Sequence, residues 1–155
     1  MVPTGHKILQ VVAPQALVDN TSWTTTEIDR LGYDYAQVIV NIGALDIALT
    51  ALSMQESDTT SSGFANITGL VFGTSVNSAG STSDLPSADD DNKIFVFNID
   101  LRGRKRFLDL VATIDDGSTG GYLSAVVVLS RAETGPNAAA EYGASQVLQV
   151  PAFVA

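Results

Sequence analysis

The chain has 155 residues, a net charge of −9 and no cysteine, which fits one domain and excludes disulfides, thiol catalysis and cysteine-held metals. That acidity argues against nucleic acid, whose phosphates demand clustered Lys and Arg. With 45% hydrophobic but only 16% charged residues, the surface uses Ser, Thr, Asn and Gly where Lys and Glu are usual.

The start, Met1 to Lys7, has no charged stretch followed by an apolar one, so a chain without signal peptide, made in the cytoplasm, is expected. No apolar run approaches the ~20 residues of a membrane-spanning helix, and no membrane partner is expected. Alternation with a period of two then dominates, and helical periodicity is nearly absent. The first candidate strands are Lys7–Ala13, Thr25–Arg30 and Tyr33–Asn41, and Asn41-Ile42-Gly43 reads as a turn. The Ala- and Leu-rich stretch 44–54 reads as strand over Ile47–Gln55, because Ile47, Leu49 and Ala51 alternate with Thr50. Ile67–Phe72 follows, then a long Ser/Gly/Asp-rich interruption, Thr74–Asn92. A loop of that length is usually functional or mobile.

Three strong strands come next. Phe95, Phe97, Ile99 and Leu101 share a face, as do Leu108, Leu110, Ala112 and Ile114, and then Leu123, Ala125, Val127 and Leu129. In the last of these Val126 and Val128 lie on the opposite face, so a central strand covered on both sides is expected. Eight or so strands with glycine-marked turns predict an all-β, antiparallel sandwich of jelly-roll type over residues 1–133, with residues 1–6 extended. Residues 134–155 form a C-terminal arm. Its apolar octet, in which Val147, Leu148, Val150 and Phe153 stand out, needs its own domain or a neighbouring subunit to bury against.

Chemistry is sparse. The one histidine, His6, reads as an exposed terminal residue, and a Ser-His-Asp triad would have to use it. No nucleophile elbow, phosphate loop or His-Glu-x-x-His occurs, so no enzyme and no cofactor are expected. Asp89-Asp90-Asp91-Asn92 reads as a solvated acidic loop, since successive carboxylates on an extended chain diverge. The alternative there is calcium, which takes six to eight oxygens. Four of the eight basic residues fall in Arg102-Gly103-Arg104-Lys105-Arg106, between two strands. This run reads as a hairpin tip with Gly103 supplying the backbone angle. It is either simply solvated or a docking patch for an acidic protein surface; the overall charge weighs against nucleic acid. Trp23, Tyr33, Tyr35 and Tyr122 can serve a core or interface, or line a sugar-binding face.

Three strings taken in order, Leu31-Gly32-Tyr33-Asp34-Tyr35-Ala36, Leu52-Ser53-Met54-Gln55-Glu56-Ser57-Asp58 and Asn98-Ile99-Asp100-Leu101-Arg102-Gly103-Arg104-Lys105-Arg106-Phe107-Leu108, resemble small virion structural proteins of tailed phages, of the head-decoration or cement kind. The resemblance covers roughly residues 30–133. It implies a β-sandwich on the capsid surface of a virion, bound to the major capsid protein and to its own copies, often as a trimer, that stabilises the shell. Tail, fibre and head–tail joining proteins share similar domains. A carbohydrate-binding or adhesion module is the alternative of a different class.

Overall fold

The computed structural model describes residues 5–14 and 17–132. In chain order the strands are β1 (His6–Val12), β2 (Thr21–Ser22), β3 (Ile28–Asp29), β4 (Tyr33–Leu45), β5 (Leu49–Ser57), β6 (Ala65–Val71), β7 (Ile94–Asp100), β8 (Phe107–Ile114) and β9 (Gly121–Ala132). One sheet has the order β1-β9-β4-β7; the other runs β2-β8-β5-β6, with β3 also on β8. All pairings are antiparallel. Thr21 faces Ile114 and Ile28 faces Leu108, so β2 and β3 are two pieces of one edge strand along β8. Except for β2 to β3 and β5 to β6, every connection crosses from one sheet to the other. The fold is an antiparallel sandwich with jelly-roll topology, as the alternation predicts.

The core lies between the sheets because each strand turns one face inward. Val38, Val40, Phe97, Ile99, Val127 and Leu129 come from the first sheet, and Leu52, Met54, Leu108, Leu110 and Ile114 from the second, all buried. Each fully buried side chain of this kind contributes about 1.5–3 kcal/mol as an upper estimate. His6 is exposed and is the first residue of β1, opposite Ser130.

Two turn readings are corrected. Asn41-Ile42-Gly43 is not a turn, because β4 continues to Leu45. Between Ile42 and Leu45 the pairing with β9 shifts, and Gly43 sits in that bulge so close to β9 that an added Cβ would lie 2.8 Å from the Tyr122 Cβ. The glycine marks a close approach of two chains, not a reversal. Second, residues between β7 and β8 do not form a hairpin tip, since those strands belong to different sheets. Leu101, fully buried, plugs the end of the core and accepts from Arg104 N–H at 3.0 Å while its own N–H reaches the Asp34 carbonyl at 2.8 Å. A buried plug at the bend carries the chain over the end of the sandwich. Gly103 does take the positive φ expected of it, +76°.

Residues 74–92 are braced throughout. Val76 bridges Thr82, the Ser83 hydroxyl donates to the Ser75 carbonyl at 2.6 Å, and Leu49 N–H reaches the Pro86 carbonyl at 2.9 Å. β9 is central, between β1 and β4, yet Ile8, Ile94 and Val96 on the outer face of its sheet are exposed. Among the described residues that face has no second layer.

Candidate partner-binding surfaces

The bend between β7 and β8 gathers the basic residues with the acidic ends of other strands. Arg102 grips Asp100 with Nε at 3.0 Å and Nη2 at 2.6 Å, and its guanidinium lies 5.3 Å from the centre of the Tyr35 ring. Arg131, on the other strand flanking β4, lies 5.5 Å from the same ring and 3.9 Å from Asp34. Arg106 grips Asp29 at 3.0 and 2.8 Å. Glu56 accepts Arg104 Nη1 at 3.3 Å and the Lys105 main-chain N–H at 3.2 Å. Arg30 donates to the Lys105 carbonyl at 3.1 Å and also to the Arg104 carbonyl.

These contacts depress the carboxylates concerned. The Arg102 guanidinium holds the Asp100 carboxyl down to about 2, and the Arg106 hydrogen bonds hold Asp29 below the usual carboxylate range. Arg102 and Arg106 are pushed up in return, first by those same hydrogen bonds.

The result is a polarised molecule. Six of the eight basic residues (Arg30, Arg102, Arg104, Lys105, Arg106, Arg131) gather at one end, where Arg102, Arg104, Arg106 and Arg131 pair with Asp100, Glu56, Asp29 and Asp34. Glu27, next to Ile28 of β3, and Asp58, next to Ser57 of β5, share that end, which is therefore enriched in basic residues within a chain whose total is −9. Sequence reasoning placed Arg102, Arg104, Lys105 and Arg106 together but missed Arg30 and Arg131, which arrive from distant positions. It also missed the four carboxylates that orient the cluster. Asp29 is the last residue but one of the candidate strand Thr25–Arg30 and Glu56 follows directly on Ile47–Gln55, the only signal available for them.

The second surface is the outer face of the first sheet. Register places Ile8 opposite Val128 and Gln37 opposite both Val128 and Asn98. One row along, Ile39 lies between Val126 and Val96. Across these two rows Ile8, Ile39, Val96, Val126 and Val128 are apolar, while Gln10, Gln37 and Asn98 are polar. Polar groups border them, with His6, Ser130, Tyr35 and Asp100 at the basic end.

Asp89, Asp90 and Asp91 are not brought together as a ligand set. Asp90 caps its own turn, accepting from Ser87 N–H at 3.0 Å and Lys93 Nζ at 3.0 Å, and these contacts, the Ser87 bond most, hold its carboxyl below the usual carboxylate range. Asp91 accepts the Leu45 N–H at 2.8 Å, and Asp89 is exposed. Among the described residues no three His, Asp or Glu side chains converge as they would on an ion. The aromatic candidates also separate. Trp23 is in the core, and Tyr33 packs against it. Tyr122 lies eight positions along β9 from Ser130, the partner of Tyr35, roughly 26 Å away at strand rise. Val147, Leu148, Val150 and Phe153 lie outside the described residues.

No protein-family model matches this chain, and no curated protein matches its sequence. The case for a function therefore rests on the surfaces themselves and on the three strings quoted above.

Proposed function

We propose that this protein is a non-catalytic coat component of a phage particle, a decoration protein that binds the major capsid protein and stabilises the shell, self-associating as a trimer. The observation that carries the reading is the polarised charge. Six of the eight basic residues gather at one end of a chain of net −9, which would orient the molecule towards an acidic surface. A jelly-roll sandwich with a partly apolar outer sheet face suits packing in a lattice, and the "LGYDYA" and "DLRGRKRFL" strings point the same way.

The deciding experiment measures copy number on purified particles. A count matching the capsid lattice, and lost DNA retention on heating when the protein is stripped, supports the proposal. Equal survival of stripped and decorated particles overturns the stabilising role. A count of a few copies per particle replaces decoration with a tail, fibre or joining role.

A further inference from the structure

Among the described residues four besides glycine have a positive φ: Asn20, Ser61, Asn92 and Arg131. The first three are short polar residues at turns or bends, and asparagine in particular visits this conformation routinely. Arg131, at φ +56°, lies inside β9, where a long side chain on such a backbone stores strain. What the kink achieves is visible in the register. On either side of it β9 and β4 pair normally, Ser130 opposite Tyr35 and Ala132 opposite Tyr33. Strict alternation from Val127 and Leu129, both in the core, would send Arg131 to the inner side. Its guanidinium instead lies 5.5 Å from the centre of the Tyr35 ring. Tyr35 belongs to the outer set of β4, since Ala36 and Val38 are the buried ones. The left-handed residue thus brings a cation from the end of the core onto the outer face.

There the cation is held but not spent. The Arg131 side chain is 66% exposed, and the Asp34 oxygen it faces is 3.9 Å from Nε, beyond hydrogen-bond reach. Arg102, Arg104 and Arg106, by contrast, donate hydrogen bonds to Asp100, Glu56 and Asp29. Arg102 lies against the same Tyr35 ring, so one ring orients a neutralised cation and an uncommitted one. Beside it the outer face holds a hollow of about 440 Å³, lined among others by Tyr35, His6, Gln37, Asn98 and Ser130. Ser130 precedes Arg131 in the chain and pairs with both His6 and Tyr35.

We infer that Arg131, steadied by Tyr35 and joined by the Ser130 hydroxyl, is the seat for a carboxylate side chain on the acidic protein surface where the basic end docks. This rests on the coat reading and names the residue that makes its specific contact. A guanidinium presents parallel N–H donors that match the two oxygens of a carboxylate. Stacking on the ring fixes the plane of those donors before docking, so less side-chain freedom is lost on contact. The hollow admits the partner's side chain, with His6 at its rim. Glycine would take φ +56° without strain, so the arginine at this position serves something other than folding.

NMR titration of the full chain with an acetylated, amidated glutamate tripeptide tests the seat, with the matching glutamine tripeptide and glucuronate run alongside. The Arg131 Nε–Hε and Ser130 amide signals should move with the glutamate peptide and stay in place with the glutamine one. No movement, or equal movement with both peptides, overturns the inference. A response to glucuronate alone replaces the protein partner with an acidic glycan and overturns it equally. Arg131→Lys keeps the charge but loses the planar fork, and should weaken the glutamate peptide roughly tenfold. Undiminished binding by that variant reduces the contact to bulk charge, against the proposed seat. Melting curves read the strain separately. Arg131→Gly and Arg131→Ala both remove the guanidinium, and the glycine variant should melt a few degrees higher. Equal melting removes the argument from backbone strain, and the inference with it. Particle occupancy separates this site from the reading it rests on. If the unaltered chain is absent from particles, the coat reading falls while the peptide titration still decides the seat. If the unaltered chain and Arg131→Gly fill particles equally, the seat falls and the coat reading stands.

Discussion

Arg104 and Arg106 each reach a carboxylate on a different strand of the second sheet, Glu56 on β5 and Asp29 on β3. Exposed pairs of this kind contribute about 0–1 kcal/mol to folding. On the proposed reading their greater effect would be to hold the guanidinium planes in place, so that docking on an acidic partner costs less side-chain entropy. Arg104→Ala with Arg106→Ala should accordingly lower the melting temperature by a few degrees at most while reducing particle occupancy, most of all at low salt. A collapse in melting temperature would make the cluster a purely internal brace. The acid limb of stability belongs to this scale too. Asp29, Asp90 and Asp100 are depressed. So is Asp46, chiefly by the Thr119 N–H at 2.5 Å and then by Gly120 N–H. A carboxylate depressed in the folded state adds stability that is complete above its unfolded value and lost as pH falls through the folded one. Melting temperature should therefore stay level down to about pH 5 and fall between the ordinary carboxylate value of 3.8 and about 2, where Asp100 titrates. Asp46→Asn should lower the neutral-pH melting temperature and shallow that fall; an unchanged acid limb would remove Asp46 from the account.

At the scale of elements, the bends that carry strands between the sheets are what stabilise a jelly roll, and Leu101 occupies the bend over the basic end. Because it is fully buried, Leu101→Ala should cost about 2–5 kcal/mol, measured by denaturant unfolding. A much smaller cost would mean that the Arg104 turn and the Asp34 contact hold the bend without the plug. Gly43→Ala should cost about 1–3 kcal/mol by pushing β9 off the β4 bulge. These two positions also show where the sequence was readable. The inward faces of β7, β8 and β9 follow from alternation, because a half-buried strand writes its burial directly into a period of two. The same pattern cannot say whether two successive strands pair with each other or with others, so residues 101–106 read as a hairpin tip. Nor can it tell a turn glycine from one that lets two backbones touch, as at Gly43. The basic run was visible as composition, but its carboxylate partners come from residues more than 40 positions away in two of three cases, Glu56 and Asp29. Only the fold assembles them. In β5 the expected face of Ile47, Leu49 and Ala51 breaks because the pairing shifts between Leu49 and Ala51. After that shift Leu52 and Met54 point inward.

Taken as one body, the molecule offers an end rich in basic residues and, on the outer side of the first sheet, a partly apolar face that abuts it through Tyr35 and Asp100. A trimer formed on that face would present three basic ends together, and three linked contacts bind with an avidity well beyond any one of them. On the proposed reading shell stabilisation would follow from mass action: a ligand present at one hundred times its Kd stabilises the bound state by about 2.7 kcal/mol per site, repeated across a lattice. This coupling gives a test that separates self-association from docking. Val128 lies at the centre of the outer face, opposite Ile8 and Gln37, and its neighbours Val127 and Leu129 supply the core contacts of that stretch. Val128→Asp should therefore leave the sandwich folded, with unchanged far-ultraviolet circular dichroism, while light scattering shows a trimer reduced to monomers. Particle occupancy should fall by a factor of 10² or more, although no basic residue has been altered. If the variant stays trimeric, the self-contact lies elsewhere. If it becomes monomeric yet still fills particles, each copy docks on its own and avidity plays no part.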